Sequence, residues 1–534
     1  MEALLIADSS HRPGPGSDAM DLIRRVDGLL RQRRAAEAAA QCEGLLAMYP
    51  ARAEGPMLMA RARQMLGDFT GMLDAARDAR RLDRAGRLAM FLEVEALLHV
   101  GEVAEARSHL DAIEAVAGED AMTWRRLCES HTHLGQHAAA ERAARRLVSL
   151  RPDDPDARYA LASALVAVGS LEEAEALLDD LIRRAPADGD AYYNRATLRR
   201  QTLERNHVEQ LQQALLAAGD TAARIPLHFA LAKELEDLGR YEASFEHVAT
   251  GAAHRRRVLS YRIETDERAI GQIMRSFDAE WARRPAVGHG QAGPIFIVGL
   301  PRSGTTLVER ILGRHSKVAS VGEVNDFALA VMRVAGPSAG KSQRIELAAN
   351  ADLAKLGRGY WNAIRGYGHA GPFVIDKTPL NFLYLGLIRR ALPDARIVHL
   401  RRHPMASGYA MFRTLFRMGY PFSYDQSDLA RYLIAYHRLM EHWRLTFPGQ
   451  FLDVDYEALV DDQEAVTRRL LDFCGLPWEE ACLSFHEDPR PSATASAAQV
   501  RQPLYRHARD QWRHYAGQLR PLAAALEQAG IETR

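Results

Sequence analysis

Glycine recurs at a constant interval through the first half of this chain. Four glycines are each separated by 34 residues, namely Gly67, Gly101, Gly135 and Gly169. Small side chains recur in phase with them, at Ala60, Val94, Cys128 and Ala162 and again at Ala106, Ala140 and Ala174. A fixed period of this length indicates stacked helical hairpins, each with a glycine at its turn. One long helix would explain the alanine content but not the phased glycines.

The period of 34 residues resembles that of the tetratricopeptide repeat (TPR). Its best copy contains Trp124, Leu127, Gly135, Ala140 and Pro152. About seven such units fit residues 19–257, which we interpret as a TPR α-solenoid. The resemblance implies a groove for a protein or peptide partner, while the alternative is a spacer or a homodimer surface. We expect a flexible tail at residues 1–18, a helical linker at 258–290 and a second domain at 291–534.

A strand, a loop and a helix are predicted around residue 300. An apolar run, Ile295–Val298, precedes Gly299, Pro301 and Gly304, and an amphipathic pattern starts near Thr305. Backbone N–H groups at such a helix start can bind an anion, and hydroxyls and an arginine can add donors. The candidate anion-binding residues are Arg302, Ser303, Gly304, Thr305 and Thr306. The lysine of a nucleoside-triphosphate P-loop is missing, so phosphate or sulfate in another ligand is favoured.

The string Pro-Arg-Ser-Gly-Thr-Thr, residues 301–306, resembles the 5′-phosphosulfate loop of sulfotransferases. These enzymes use 3′-phosphoadenosine 5′-phosphosulfate (PAPS) as donor and release adenosine 3′,5′-bisphosphate (PAP). The resemblance is to the tyrosylprotein sulfotransferase branch in particular. It implies a P-loop-like α/β domain with a central parallel sheet and a reaction without a metal. The predicted class is therefore α plus α/β, a TPR array followed by a sulfotransferase domain.

Two further strings extend the resemblance to catalytic residues. Glu323 follows a short apolar piece about twenty-one residues after Arg302 and matches the family's general base; a helix cap is the structural alternative. Lys377 follows Phe373-Val-Ile-Asp376, where Pro379 stops the strand. The family has a catalytic lysine there, which together with Arg302 would stabilise negative charge on the leaving oxygen.

The remaining matches concern the nucleotide. Arg402 and Pro404 follow an apolar strand and match the 3′-phosphate motif, but the motif's serine is replaced by Ala410. Tyr456 matches a tyrosine that contacts adenine in the family. Ser496 and Arg501 match a polar loop that closes over the donor, with the serine near the sulfate.

The composition of the chain restricts its partners and its compartment but does not identify a function. Lys plus Arg and Asp plus Glu both number 69, so net charge points to neither nucleic acid nor a membrane surface. No membrane span is expected, and four cysteines in apolar contexts suggest a cytoplasmic protein with reduced thiols. We interpret the chain as a PAPS-dependent sulfotransferase with an unidentified acceptor, which is a protein tyrosine, a carbohydrate or a small molecule. The alternatives are a kinase or NTPase with Asp376 on magnesium, and a TPR scaffold whose catalytic half is inactive.

Overall fold

The computed structural model describes residues 16–219, 221–285, 287–290, 292–337, 340–369, 371–416, 419–488, 490–491, 499–504 and 507–533. Residues 1–15 of the predicted tail lie outside this set. Antiparallel helix pairs fill the first half of the described chain: α1 Gly16–Arg31, α2 Ala35–Met48, α3 Glu54–Leu66, α4 Phe69–Leu82, α5 Arg87–Val100, α6 Val103–Ala115, α7 Ala121–His133, α8 His137–Leu150, α9 Pro155–Val168, α10 Leu171–Arg184, α11 Gly189–Thr197, α12 Val208–Ala217, α13 Thr221–Asp237 and α14 Tyr241–Val258.

The phased glycines lie at the turns between paired helices, as predicted. Their φ angles are positive, with values of 78°, 85°, 66° and 93° for Gly67, Gly101, Gly135 and Gly169. Residues with a Cβ are strained in this left-handed region, which explains why glycine recurs there. The phased small residues are buried where neighbouring helices pack, and Ala60 and Ala106 are both 0% exposed. The TPR-like array is thus confirmed.

Two helices cover the predicted linker, α15 Ile263–Ser276 and α16 Ala279–Arg283. The segment carries buried apolar side chains, including Ile270, Phe277 and Trp281, that pack on the second half of the chain. The segment therefore belongs to the packed body of the protein.

The second half is an α/β domain. Its elements are β1 Pro294–Gly299, α17 Thr305–Gly313, β2 Val318–Gly322, α18 Asp326–Ala335, α19 Lys341–Ala349, α20 Leu353–Gly366, β3 Phe373–Asp376, α21 Leu385–Ala391, β4 Arg396–Arg401, α22 Pro404–Phe412, α23 Gln426–Thr446, β5 Leu452–Asp455, α24 Tyr456–Asp461, α25 Gln463–Cys474, α26 His507–Asp510 and α27 Arg520–Gln528. The five strands form one parallel sheet in the order β2-β3-β1-β4-β5. The predicted central parallel sheet is confirmed.

Helices cover both faces of this sheet, as the apolar runs of the strands require. Along β1, Ile295 and Ile297 face one apolar layer together with α17 and α25. Phe296 and Val298 face the other layer, which contains α20, α21 and α23. Loops at the carboxyl ends of the strands are left to form a crevice.

The last TPR helices share this second layer. Phe229 of α13 and Phe245 of α14 belong to the same buried cluster as Phe412 of α22, and the Phe245 and Phe412 rings are 5.9 Å apart. The carboxylate of Glu236, on α13, accepts hydrogen bonds from the hydroxyls of Tyr409 at 2.5 Å and Tyr515 at 2.9 Å. The array and the α/β domain therefore have a common core at this junction.

Two composition-based expectations can be compared with the structure. All four cysteines are free and buried. Among the described residues, no helix combines the length and the apolarity that crossing a bilayer requires.

Candidate active site

Each of the five parallel strands ends at a residue or loop predicted from the sequence. The Arg302 loop follows β1, Glu323 follows β2, Lys377 follows β3, Arg402 follows β4, and Tyr456 follows β5. Parallel strands place their carboxyl ends at one edge of a sheet. Candidates scattered over more than 150 residues are thereby brought to one crevice.

The loop after β1 has the backbone of an anion-binding turn. Arg302 has a φ of 65°, which is uncommon for a residue with a side chain, and Gly304 has a φ of 105° just before α17. A Cβ at Gly304 would lie 2.6 Å from the Tyr456 ring, so only glycine fits. Ser303 is 1% exposed, and its Oγ has no hydrogen-bond partner among the described residues. A buried hydroxyl of this kind is available to a ligand.

Arg402 contacts both this loop and the last strand. One of its terminal nitrogens donates to the carbonyl oxygen of Arg302 at 2.8 Å. Its guanidinium also lies over the Tyr456 ring, 4.7 Å from the centroid. One ring face is thus covered by Arg402, so contact between Tyr456 and adenine would use the rest of the ring.

Lys377 is the centre of a second cluster. Its side chain is 0% exposed, and its Nζ lies 2.5 Å from Glu323 Oε1 and 3.6 Å from Glu309 Oε2. Burial by itself lowers the pKa of Lys377, but the two carboxylates outweigh burial and raise it above the ordinary value. The lysine is therefore a buried ammonium between two acids.

Glu323 is the accessible member of this cluster, with 44% of its side chain exposed. The residue before α18 is Asn325, and the carboxylate of Glu323 contacts Lys377 instead of the helix start. The structure therefore does not support the helix cap, and the role of Glu323 as a base stays a prediction. Tyr420 lies nearby, since burial first and then the Glu323 charge raise its pKa.

The sequence did not single out Glu309. It lies inside α17, where an acid in an amphipathic pattern resembles a surface residue. In the structure its side chain is only 13% exposed and it accepts a hydrogen bond from Ser320 Oγ at 2.6 Å. Its position four residues after Thr305 was the only available signal, because that spacing places both on one face of the helix.

Asp376 does not point into the crevice. Its side chain is 1% exposed and accepts hydrogen bonds from the Tyr360 hydroxyl and the Thr378 N–H, both at 3.1 Å, and from the Asn381 amide at 3.3 Å. Burial raises its pKa to about 7. A carboxylate so enclosed by protein donors is a poor magnesium ligand, which weakens the kinase interpretation.

Arg501 contacts the TPR array. Arg501 donates to the carbonyl oxygen of Ala167 at 3.4 Å and lies against Gly169, one of the TPR turns. Its part in donor binding stays a prediction. Ser496 lies outside the described residues.

The TPR array also reaches the site, which the sequence could not indicate. Tyr193 of α11 accepts a hydrogen bond from the Leu415 N–H at 3.1 Å. Burial raises the pKa of its hydroxyl, and the nearby charges of Arg302 and Arg413 oppose that shift. A repeat side chain therefore lies beside the anion-binding loop.

These features define a class: an α/β domain whose crevice contains the candidate anion-binding residues, joined to a TPR α-solenoid. Comparison with known proteins gives the family of each part. Residues 294–480 match the model of the sulfotransferase family, and residues 132–198 match that of the tetratricopeptide repeat. The chain thus contains a sulfotransferase-family domain and TPR repeats.

Relatives match parts of this chain. An uncharacterized protein of Aquifex aeolicus (strain VF5) is 30% identical over 382 residues, 69% of this chain and 50% of that protein. Protein-tyrosine sulfotransferase 1 of Danio rerio is 27% identical over 201 residues, 36% of this chain and 56% of that protein. The chain therefore spans about half the length of these two relatives. The solved sulfotransferase domain of the Synechococcus PCC 7002 olefin synthase is 22% identical, with a TM-score of 0.32, covering 42% of this chain and 89% of that domain.

Proposed function

We propose that this protein is an enzyme that transfers the sulfuryl group of PAPS to an acceptor hydroxyl. The observation that carries the proposal is the convergence of the Arg302 loop, Glu323, Lys377 and Arg402 at the carboxyl edge of one parallel sheet. The unpartnered buried hydroxyl of Ser303 and the glycine-restricted turn fit an anionic donor.

The residues divide the work by position. Bound PAPS supplies an activated sulfuryl group, whose S–O bond to the phosphate breaks as a new S–O bond to the acceptor oxygen forms. Glu323, exposed beside the crevice, takes the acceptor's proton. Lys377 and Arg302 stabilise the negative charge left on the phosphate oxygen. Ser303 to Thr306 bind the 5′-phosphosulfate group of PAPS. Arg402 binds the 3′-phosphate with two parallel N–H donors, and Tyr456 contacts the adenine ring.

The finer assignments extend this proposal. The TPR array recruits a protein acceptor or partner, and the reaction needs no metal, because side chains supply the positioning and charge. The four free cysteines suit a reducing compartment, so we propose the cytoplasm. Ser496 and Arg501 are proposed to contact the donor from the polar loop. The acceptor is a tyrosine, carbohydrate or small-molecule hydroxyl.

The first measurement compares ligands by thermal shift. Metal-free PAP should raise the melting temperature more than ADP with magnesium, because Asp376, the carboxylate that the kinase alternative assigns to magnesium, is buried among protein donors and Arg402 is offered to a 3′-phosphate. A larger shift with ADP and magnesium would favour the kinase class.

The second measurement tests catalysis with radiolabelled PAPS and a panel of tyrosine peptides, oligosaccharides and phenols. Glu323→Gln should reduce transfer by roughly a hundredfold or more while PAP affinity hardly changes, because the amide cannot accept the proton. Near-full activity of this variant at saturating acceptor would remove Glu323 as the base.

A further inference from the structure

Lys377 has two acidic neighbours of different character. Glu309 is largely covered, with 13% of its side chain exposed, whereas 44% of the Glu323 side chain is exposed. Both carboxylates lie within 4 Å of one buried ammonium. One carboxylate beside Lys377 is enough to act as the general base, so the presence of a second carboxylate requires an explanation.

Glu309 is held in place by its neighbours. Ser320 Oγ donates to the Glu309 carboxylate at 2.6 Å. The Gly322 N–H donates to Ser320 Oγ at 3.0 Å. The Lys377 N–H in turn donates to the Gly322 carbonyl oxygen at 2.9 Å. These bonds link α17, β2 and the end of β3, and they hold the Glu309 carboxylate against the lysine.

We infer that Glu309 is a positioning residue that keeps the Lys377 ammonium charged and in place while Glu323 takes up the acceptor proton. This inference rests on the proposed function. When Glu323 gains a proton it loses its charge, and its attraction to Lys377 falls. Glu309 receives no proton in the reaction and stays as the protein's fixed counter-ion. The lysine then keeps the charge that the departing phosphate oxygen requires.

The charged groups around Lys377 are few among the described residues. Glu309 faces it from α17 and Glu323 from the end of β2, while Tyr420 faces Glu323. Asp376, its neighbour on β3, turns away to Tyr360 and Asn381. Removal of the Glu309 charge should therefore mainly change the protonation and the position of the Lys377 side chain.

A double-mutant cycle tests the contact without any ligand. Glu309→Gln keeps the shape and can still accept from Ser320, but it removes the charge. It should lower the melting temperature by about 2 °C or more in the parent protein. In a Lys377→Met background the same change should leave the melting temperature unchanged or raise it, because the remaining carboxylates repel. Equal decreases in both backgrounds would overturn the inference.

The pH dependence of PAP affinity tests the consequence. With one counter-ion removed, affinity in Glu309→Gln should begin to fall at a pH about one unit or more below that of the parent. Ser320→Ala is the matched control, since it removes a hydrogen bond of Glu309 but keeps its charge, and its upper pH limit should match the parent. An unshifted limit in Glu309→Gln would overturn the inference. Failure of the parent to bind PAP would instead contradict the proposed function, and the melting cycle would still decide the role of Glu309.

Discussion

At the scale of single residues, the helix after β4 lacks one hydroxyl of the 3′-phosphate motif that it resembles. Ala410 occupies the position of the expected serine, and its side chain is buried. Ser407 lies three residues earlier on the same helix, roughly 4.5 Å along the axis and on a similar face. It is 1% exposed, and its Oγ has no hydrogen-bond partner among the described residues. If Arg402 binds the 3′-phosphate as proposed, these two positions are alternative sources of one hydroxyl for it.

Ala410→Ser should therefore strengthen PAP binding by about 0.5 to 1.5 kcal/mol, the net value of one hydrogen bond. Ser407→Ala should weaken it by a similar amount, and the double variant should return near the parent. Isothermal calorimetry at fixed ionic strength measures all three. Weaker binding by Ala410→Ser would show that this position does not face the phosphate.

The meeting of several candidate site residues at one sheet edge could be predicted, because each follows its own short strand. Arg302, Glu323, Lys377 and Arg402 are all preceded by apolar runs and turn residues, and parallel strands bring such ends together. Glu309 could not be found in this way, because its role depends on a contact with Lys377 across sixty-eight positions of the chain. Asp376 was interpreted as a potential metal ligand because the sequence does not show which way a side chain turns at a strand end.

At the scale of elements, the end of β3 contains a buried acid that the fold disfavours in its ionised form. The pKa of Asp376 is about 7 in the folded protein, against an ordinary value of 3.8. Because the folded state holds this proton more tightly than the unfolded state does, the contribution of Asp376 to stability is largest below pH 4 and decreases as pH rises through 7.

Asp376→Asn should remove this dependence. The amide oxygen can still accept from Thr378 N–H, and the Tyr360 hydroxyl can turn to accept from the new NH₂ group. Between pH 5 and pH 8 the free energy of unfolding of the variant should rise relative to that of the parent by about 2 to 3 kcal/mol, since about two pKa units of the shift lie in this range. Urea unfolding at pH 5 and pH 8 gives the comparison. The same pH dependence in both proteins would mean that Asp376 ionises freely in the folded state.

The sequence predicts the helices of the repeats, but it does not predict what the repeat array packs against. The 34-residue period determines the helix pairs and their glycine turns, because each unit makes similar local contacts. The period says nothing of what the array packs against. That depends on single side chains such as Tyr193 and Glu236, whose neighbours lie in the other half of the sequence.

At the scale of the whole molecule, α13 and α14 join the two halves. They complete the repeat array, yet Phe229 and Phe245 are buried in the core of the sulfotransferase domain. Glu236, 6% exposed, accepts from Tyr409, Tyr515 and Arg413 of that domain. A boundary at residue 257 follows the repeat period, but it cuts through this shared core.

Two truncated chains test whether the α/β domain folds without the repeat helices that share its core. A chain of residues 187–534 keeps α11 to α14 and should fold and bind PAP, whereas a chain of residues 258–534 loses the cover of Phe412 and the acceptor of the Tyr409 hydroxyl. The shorter chain should melt well below the longer one or aggregate, because it exposes apolar core and leaves buried polar groups unpaired.

Glu236→Gln in the full chain is the control for the polar part of the junction. It keeps the shape and one acceptor oxygen but weakens charge-assisted bonds, so stability should fall by about 1 to 3 kcal/mol, less than the loss of the four helices α11 to α14. Thermal melting and PAP titration should be recorded for all three proteins. If residues 258–534 melt and bind PAP as residues 187–534 do, the shared core contributes little and the repeats are an independent unit. If only the longer chain does so, the last four repeat helices are part of the folding unit that forms the candidate site.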